Sequence, residues 1–107
     1  MEGFPAARKR MVQALIVHPH DNVATAIAHL PVDAAVEART PAGGIVAVRT
    51  LEPIAYGHKL ALADIPAGTE VVKYGEVIGL ATAAIAKGAH VHVHNVATRR
   101  GRKGTAR

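Results

Sequence analysis

Three imidazoles alternate with small apolar residues in Ala89-His90-Val91-His92-Val93-His94-Asn95, and a carboxamide closes the run. Successive side chains of a β-strand point to opposite faces, so a strand here would line one face with His90, His92 and His94. Ala89, Val91 and Val93 would cover the other face. Neutral imidazole is both a metal ligand and a proton carrier near pH 7. The first chemical expectation is therefore a metal or acid/base site on a strand face. His90 is the weakest of the three, since an internal repeat puts Glu70 and Ala35 at its position.

Three further segments carry chemistry: His18-Pro19-His20-Asp21-Asn22-Val23, then Gly57-His58-Lys59, then Lys73-Tyr74-Gly75 with Ile78-Gly79. A glycine beside a charged or titrating residue lets a ligand approach the backbone, and Lys59 or Lys73 suits a substrate carboxylate. Each segment also has a structural reading. His18 could cap a turn, His20 could be solvent-exposed, and Asp21 and Asn22 could hold a turn through side-chain to backbone bonds. Lys59 and Lys73 could be exposed charges, and Tyr74 could be a core ring with its hydroxyl at the edge.

The elements that must position these groups are short. β-branched runs separated by Gly, Pro, Asp and Asn recur without long 3.6-residue periodicity, which describes a small, mostly β domain with many turns. Strands are expected over residues 11–18, 34–39, 44–50, 70–73, 77–81 and 90–96. Ala26-Ile27-Ala28-His29-Leu30-Pro31-Val32-Asp33-Ala34-Ala35-Val36 repeats as Ala61-Leu62-Ala63-Asp64-Ile65-Pro66-Ala67-Gly68-Thr69-Glu70-Val71, and more loosely over residues 81–91. Each copy reads as a short helical turn, an anchoring Leu30, Ile65 or Ile85, a tight turn at Asp33, Gly68 or Gly88, and a strand. Thr40-Pro41-Ala42-Gly43-Gly44 should be a loop or hairpin tip.

The 107 residues suffice for one domain with a modest core, small for a self-contained enzyme, so a partner subunit is expected. With no cysteine, disulfides and thiolate sites are excluded, and with no signal-like or membrane-spanning run a cytoplasmic location is the simplest expectation. The formal charge of +5 is concentrated at the ends: eight of the 13 basic residues lie in residues 1–10 and 99–107, read as basic disordered tails. Between residues 11 and 98, five basic residues face seven acidic ones. With only three aromatic residues, no stacking platform for nucleic acid is visible.

Taken in order, His18-Pro19 with Asp21-Asn22-Val23, Gly57-His58-Lys59, Asp64-Ile65 with Gly68, Lys73-Tyr74-Gly75 with Ile78-Gly79, and Val91-His92 with His94-Asn95 resemble the N-terminal module of the altronate and galactarate dehydratase family. That module is a SAF domain with the β-clip fold, and the resemblance covers about residues 12–98. It implies a hydro-lyase acting on sugar acids, with the main catalytic body in a larger domain or separate subunit, and a divalent metal, iron(II) or manganese(II), held by this chain, its partner or both. The chain then resembles a free-standing small subunit of an altronate-type dehydratase or of the related sulfolactate sulfo-lyase; a non-catalytic SAF module binding a sugar acid or a protein is the other reading, and self-association is plausible. On this resemblance His58, His92 and His94 are the candidate catalytic residues, with His92 and His94 also the candidate metal ligands. Lys59, Lys73, Asn95 and His18 are the candidate substrate-binding residues.

Overall fold

The computed structural model describes residues 11–98. The two basic stretches read as tails lie outside the described residues. All nine elements are strands: β1 (Val12–Leu15), β2 (Val23–Ala26), β3 (Ala35–Arg39), β4 (Ile45–Arg49), β5 (Lys59–Ala61), β6 (Glu70–Lys73), β7 (Glu76–Ala81), β8 (His90–Val91) and β9 (Val96–Ala97). They form a six-stranded sheet, β4-β3-β1-β2-β5-β8, and a three-stranded sheet, β6-β7-β9. Among the described residues only the β1–β3 pair is parallel. The mostly β class expected from the sequence is the observed one, but the helical turns are not: where each repeat was read as coiling, the chain bends without a helix among the described residues. No helix there is long and apolar enough to cross a membrane.

Why the chain bends at the repeats is visible in the backbone. The structure reveals a fourth copy, Thr50-Leu51-Glu52-Pro53-Ile54-Ala55-Tyr56-Gly57-His58-Lys59, with the same order of bend, anchor and turn. The copies pair two by two. Leu30 and Ile54 exchange backbone N–H···O bonds of 2.8 and 2.9 Å, and Ile65 and Ile85 do the same at 2.7 and 2.8 Å. Around each exchange the turn residue of one copy donates to the first residue of its mate: Asp33 to Thr50, Gly57 to Ala26, Gly68 to Ala81 and Gly88 to Ala61. Those donors sit at positive φ, between 59° and 89°, a region open to glycine and tolerated by aspartate.

The four anchors are at most 3% exposed, and each pair seeds one half of the core. Leu30 and Ile54 pack with Ala14, Val36, Val48 and Leu60; Ile65 and Ile85 pack with Val23, Val71, Val91 and Val96. Thr50 is buried among them, its hydroxyl donating to the Pro31 carbonyl at 2.6 Å and accepting from the Ala34 amide at 2.9 Å. A lone buried hydroxyl would cost stability; this one is paired on both sides.

Strands β1, β3, β4, β6 and β7 fall inside or within a residue of the expected spans, and Thr40–Gly44 forms the β3–β4 hairpin turn. β2 and β5 were not expected. Both lie in the interior of the six-stranded sheet and bury nearly every side chain, so they lack the alternation that marks a half-exposed strand. The expected 90–96 strand is broken: β8 ends at Val91, residues 92–95 turn, and β9 resumes in the other sheet. Tyr74 is 53% exposed rather than core, because it occupies the β6–β7 turn at φ 58°.

Candidate functional site

The turn that breaks the histidine run is built by Asn95. Its Oδ1 accepts from the His92 amide at 2.9 Å, its Nδ2 donates to the His90 carbonyl at 2.9 Å, and its own amide donates to the His92 carbonyl. This clamp folds His92 back over the sheet instead of letting it continue along a strand. Lys59 pairs with Val91, and Leu60 with His90, in the β5–β8 ladder, so the segment after Gly57 runs beside the histidine run.

Three imidazoles meet as a result. His58 Nδ1 and His90 Nε2 are 2.8 Å apart and share one hydrogen. The His58 and His92 rings stack with centroids 4.0 Å apart and planes within 16°, and His90 lies nearly parallel to both. One nitrogen from each of the three can be chosen so that all lie within 4.8 Å of one another. His92 Nδ1 is shielded from solvent and has no hydrogen-bond partner. Among the described residues this is the one group of three or more His, Asp or Glu side chains that converges in this way.

The surroundings of His90 and His92 favour their neutral forms. Burial, then the proximity of His94 and His58, pushes His90 below the ordinary imidazole value, with Glu52 opposing; burial, then His58, Lys59 and His94, does the same to His92. Lys59 is depressed by burial and by the charge of Lys73. Glu52 accepts the His90 amide at 3.0 Å. The arrangement is thus a cluster of imidazole nitrogens with Lys59 beside it, suited to a cation and an anionic ligand at once. A groove of about 440 Å³, lined by Leu30, Pro31, Pro53, Ile54 and Ala55 with His29, His58 and His90, opens against it.

The residues named from the sequence divide accordingly. His58 and His92 come together, joined by His90, which the repeat alignment had ranked last of its run. His94 is exposed on the turn, its ring 5.0 Å from His90, outside the converging group. Lys59 adjoins the cluster, and Lys73, whose charge reaches Lys59, has its Nζ 4.7 Å over the Tyr74 ring. Asn95 spends both ends of its amide on the backbone. His18 goes elsewhere: its ring packs against Gly75 and its Nδ1 accepts the His20 amide at 3.1 Å. There Asp21 ties the loop together through the amides of Val17, His18 and Gly75, and Asn22 bridges to Glu70 and Val72.

Both loops lie within the stretch over which known proteins resemble this chain. A model of the altronate/galactarate dehydratase SAF domain matches residues 12–99. The chain belongs to this family. Altronate dehydratase of Escherichia coli (strain K12) is 43% identical over 89 residues, 81% of this chain and 17% of that protein. Galactarate dehydratase (L-threo-forming) of the same organism is 43% identical over 75 residues, 70% of this chain and 13% of that protein. The (2R)-sulfolactate sulfo-lyase subunit alpha of Chromohalobacter salexigens is 47% identical over 49 residues, 46% of this chain and 52% of that subunit. The chain therefore spans less than a fifth of the dehydratases it matches and about half of the sulfo-lyase subunit. Its relatives are lyases, and one of them is a subunit of a multi-subunit enzyme.

The sequence held a signal for the fourth repeat copy, and with it for His58 and Lys59 following the same kind of turn that precedes His90. What it did not hold was the break at Val91, which brings His92 rather than His94 to His58.

Proposed function

We propose that this chain is the small subunit of a hydro-lyase that eliminates water from a sugar acid of the altronate or galactarate type, completed by a larger catalytic subunit. The observation that carries the reading is the convergence of His58, His90 and His92 beside Lys59 within a dehydratase-family domain. Elimination from a 2,3-dihydroxy acid removes the proton on the carbon next to the carboxylate and expels the neighbouring hydroxyl as water; the enol left behind becomes a 2-keto-3-deoxy acid. Lys59 and Lys73 would hold the carboxylate. His94, outside the converging group and exposed, is the imidazole free to carry a proton between substrate and solvent.

The divalent metal implied by the family fits the residues present: three nitrogens converge, and the buried His92 Nδ1 has no partner. His58, His90 and His92 would hold it, and when bound it supplies Lewis-acid polarisation of the carboxylate and adjacent hydroxyl.

Sulfolactate is the second reading. It is favoured by one observation: the sulfo-lyase relative is itself a separate subunit, half of which is covered, whereas the dehydratases are several times longer than the match. The chemistry differs only in the leaving group, sulfite in place of water. The test is to purify the tagged full chain from its native cells without chelator, identify what accompanies it, and assay the recovered complex with altronate, galactarate and sulfolactate for 2-keto acid and for sulfite. A larger subunit and 2-keto-3-deoxy acid formation are expected. A chain recovered without a larger subunit, or a complex that converts none of the three acids, would overturn the lyase-subunit reading; sulfite release would move the substrate to sulfolactate.

A further inference from the structure

Resting on the lyase-subunit reading for its biological use, but not for its chemistry, we infer that this chain by itself holds the metal, at His58, His90 and His92, and that the site selects a borderline divalent ion of the iron(II), cobalt(II) or zinc(II) kind over manganese(II) or magnesium(II). Donors around one such ion at about 2.0–2.1 Å lie roughly 3–3.5 Å from one another. The 2.8 Å between His58 Nδ1 and His90 Nε2 already approaches that spacing, and the third nitrogen, within 4.8 Å, reaches it by a closing movement of about an ångström. The backbone is held at each residue, by the β5–β8 ladder for His90, by the bonds to Ala55 and Ala26 for His58 and by the Asn95 clamp for His92, so the movement needed is side-chain rotation alone.

Loading does not require a change in net charge of the imidazoles. The hydrogen shared by His58 Nδ1 and His90 Nε2 moves to the other nitrogen of whichever ring carries it, freeing both inner lone pairs. His92, whose buried Nδ1 has no partner of its own, supplies the third nitrogen. Selectivity follows from the donor set. No carboxylate belongs to the converging group, and the chain has no cysteine. Imidazole donors suit iron, cobalt and zinc, while manganese and magnesium favour carboxylate and water oxygens and stand low in the affinity order for nitrogen sites. Three protein donors also leave coordination positions open for a chelating hydroxy acid, which a four-ligand structural site would not.

The test titrates the purified full chain with cobalt(II), zinc(II) and manganese(II) chloride, following the visible absorption of cobalt and the heat of binding, with circular dichroism to verify the fold of each variant. One equivalent of cobalt or zinc per chain is expected, with manganese weaker by on the order of 100-fold. His58→Ala and His92→Ala, and separately His90→Gln, should each weaken cobalt binding by on the order of 100-fold, while His94→Ala and His20→Ala stay within a few-fold of the parent. No cobalt bound by the folded chain, equal affinity for manganese, or a loss in His94→Ala as large as in His92→Ala would overturn the inference. An active complex whose small subunit alone binds no metal would refute this inference and leave the lyase reading standing; metal binding by a chain whose complex converts no acid would do the reverse.

Discussion

Replacing Asn95 with alanine separates a turn-building role from a substrate-binding one. The substitution deletes two side-chain hydrogen bonds, from the His92 amide to Oδ1 and from Nδ2 to the His90 carbonyl, both 2.9 Å and both partly buried. Each such bond contributes about 0.5–1.5 kcal/mol net, so the loss is about 2 kcal/mol, with the Asn95 amide bond to the His92 carbonyl left to hold a looser turn. For a domain of this size that corresponds to a fall in Tm of about 8–16 °C. Thermal unfolding of the full chain, followed by circular dichroism at pH 7.5, reads it directly. Asn95→Asp should be destabilised too, because the remaining acceptor still serves the His92 amide while a carboxylate oxygen replaces the donor facing the His90 carbonyl. A Tm within about 3 °C of the parent for Asn95→Ala, together with a raised KM in the assembled enzyme, would refute the turn-clamp account and restore Asn95 to the substrate.

Gly88→Ala should be severely destabilising, by more than about 3 kcal/mol in urea unfolding, since its Cβ would lie 2.1 Å from the Arg49 carbonyl oxygen at φ 89°; Gly57→Ala, at φ 85° with open space around it, should lose only the backbone penalty of about 1–2 kcal/mol. Leu30→Ala, removing an anchor that is 2% exposed, should cost about 2–5 kcal/mol by the same measurement. Stability should fall on acidification through the imidazole range. His90 and His92 are held below the ordinary value of 6.5, so their contribution is complete above that pH and is lost as pH drops through it toward their folded values; His90→Gln should flatten the dependence of Tm on pH between about 7.5 and 5.5. Asp21 behaves in the same direction at lower pH: burial alone would raise its carboxyl, but the amides of Gly75, Tyr74, His18 and Val17 outweigh it, so Asp21→Asn should show less loss than the parent between about pH 5 and 3.

Local chemistry in the sequence determined the class of the fold and much of its punctuation. Turn residues able to take positive φ, the hydrophobic anchors three positions before them and the alternating or β-branched runs between them are read one residue at a time, and they placed most of the strands, the β3–β4 hairpin and three of the four repeat copies. The ordered short motifs also carried the family. β2 and β5 escaped because strands covered on both sides lose the alternation that reveals them, and the fourth copy escaped because Thr50 and Glu52 stand where the other copies carry alanine, although its anchor and glycine were in place.

Which histidines meet was decided by tertiary structure alone. A strand drawn through His90, His92 and His94 puts three imidazoles on one face with His94 as good a ligand as His92. The folded chain instead stops the strand at Val91, because Asn95 binds the backbone of His90 and His92, and it lays His58 alongside because the copy from Thr50 to Lys59 delivers β5 to β8. The pairing of copies spaced 24 and 20 residues apart, the burial that keeps His90 and His92 neutral, and the nearness of Lys59 and Lys73 are all long-range consequences of packing. Residue types set what chemistry this chain can perform; the closure of the two repeat pairs sets which side chains perform it together.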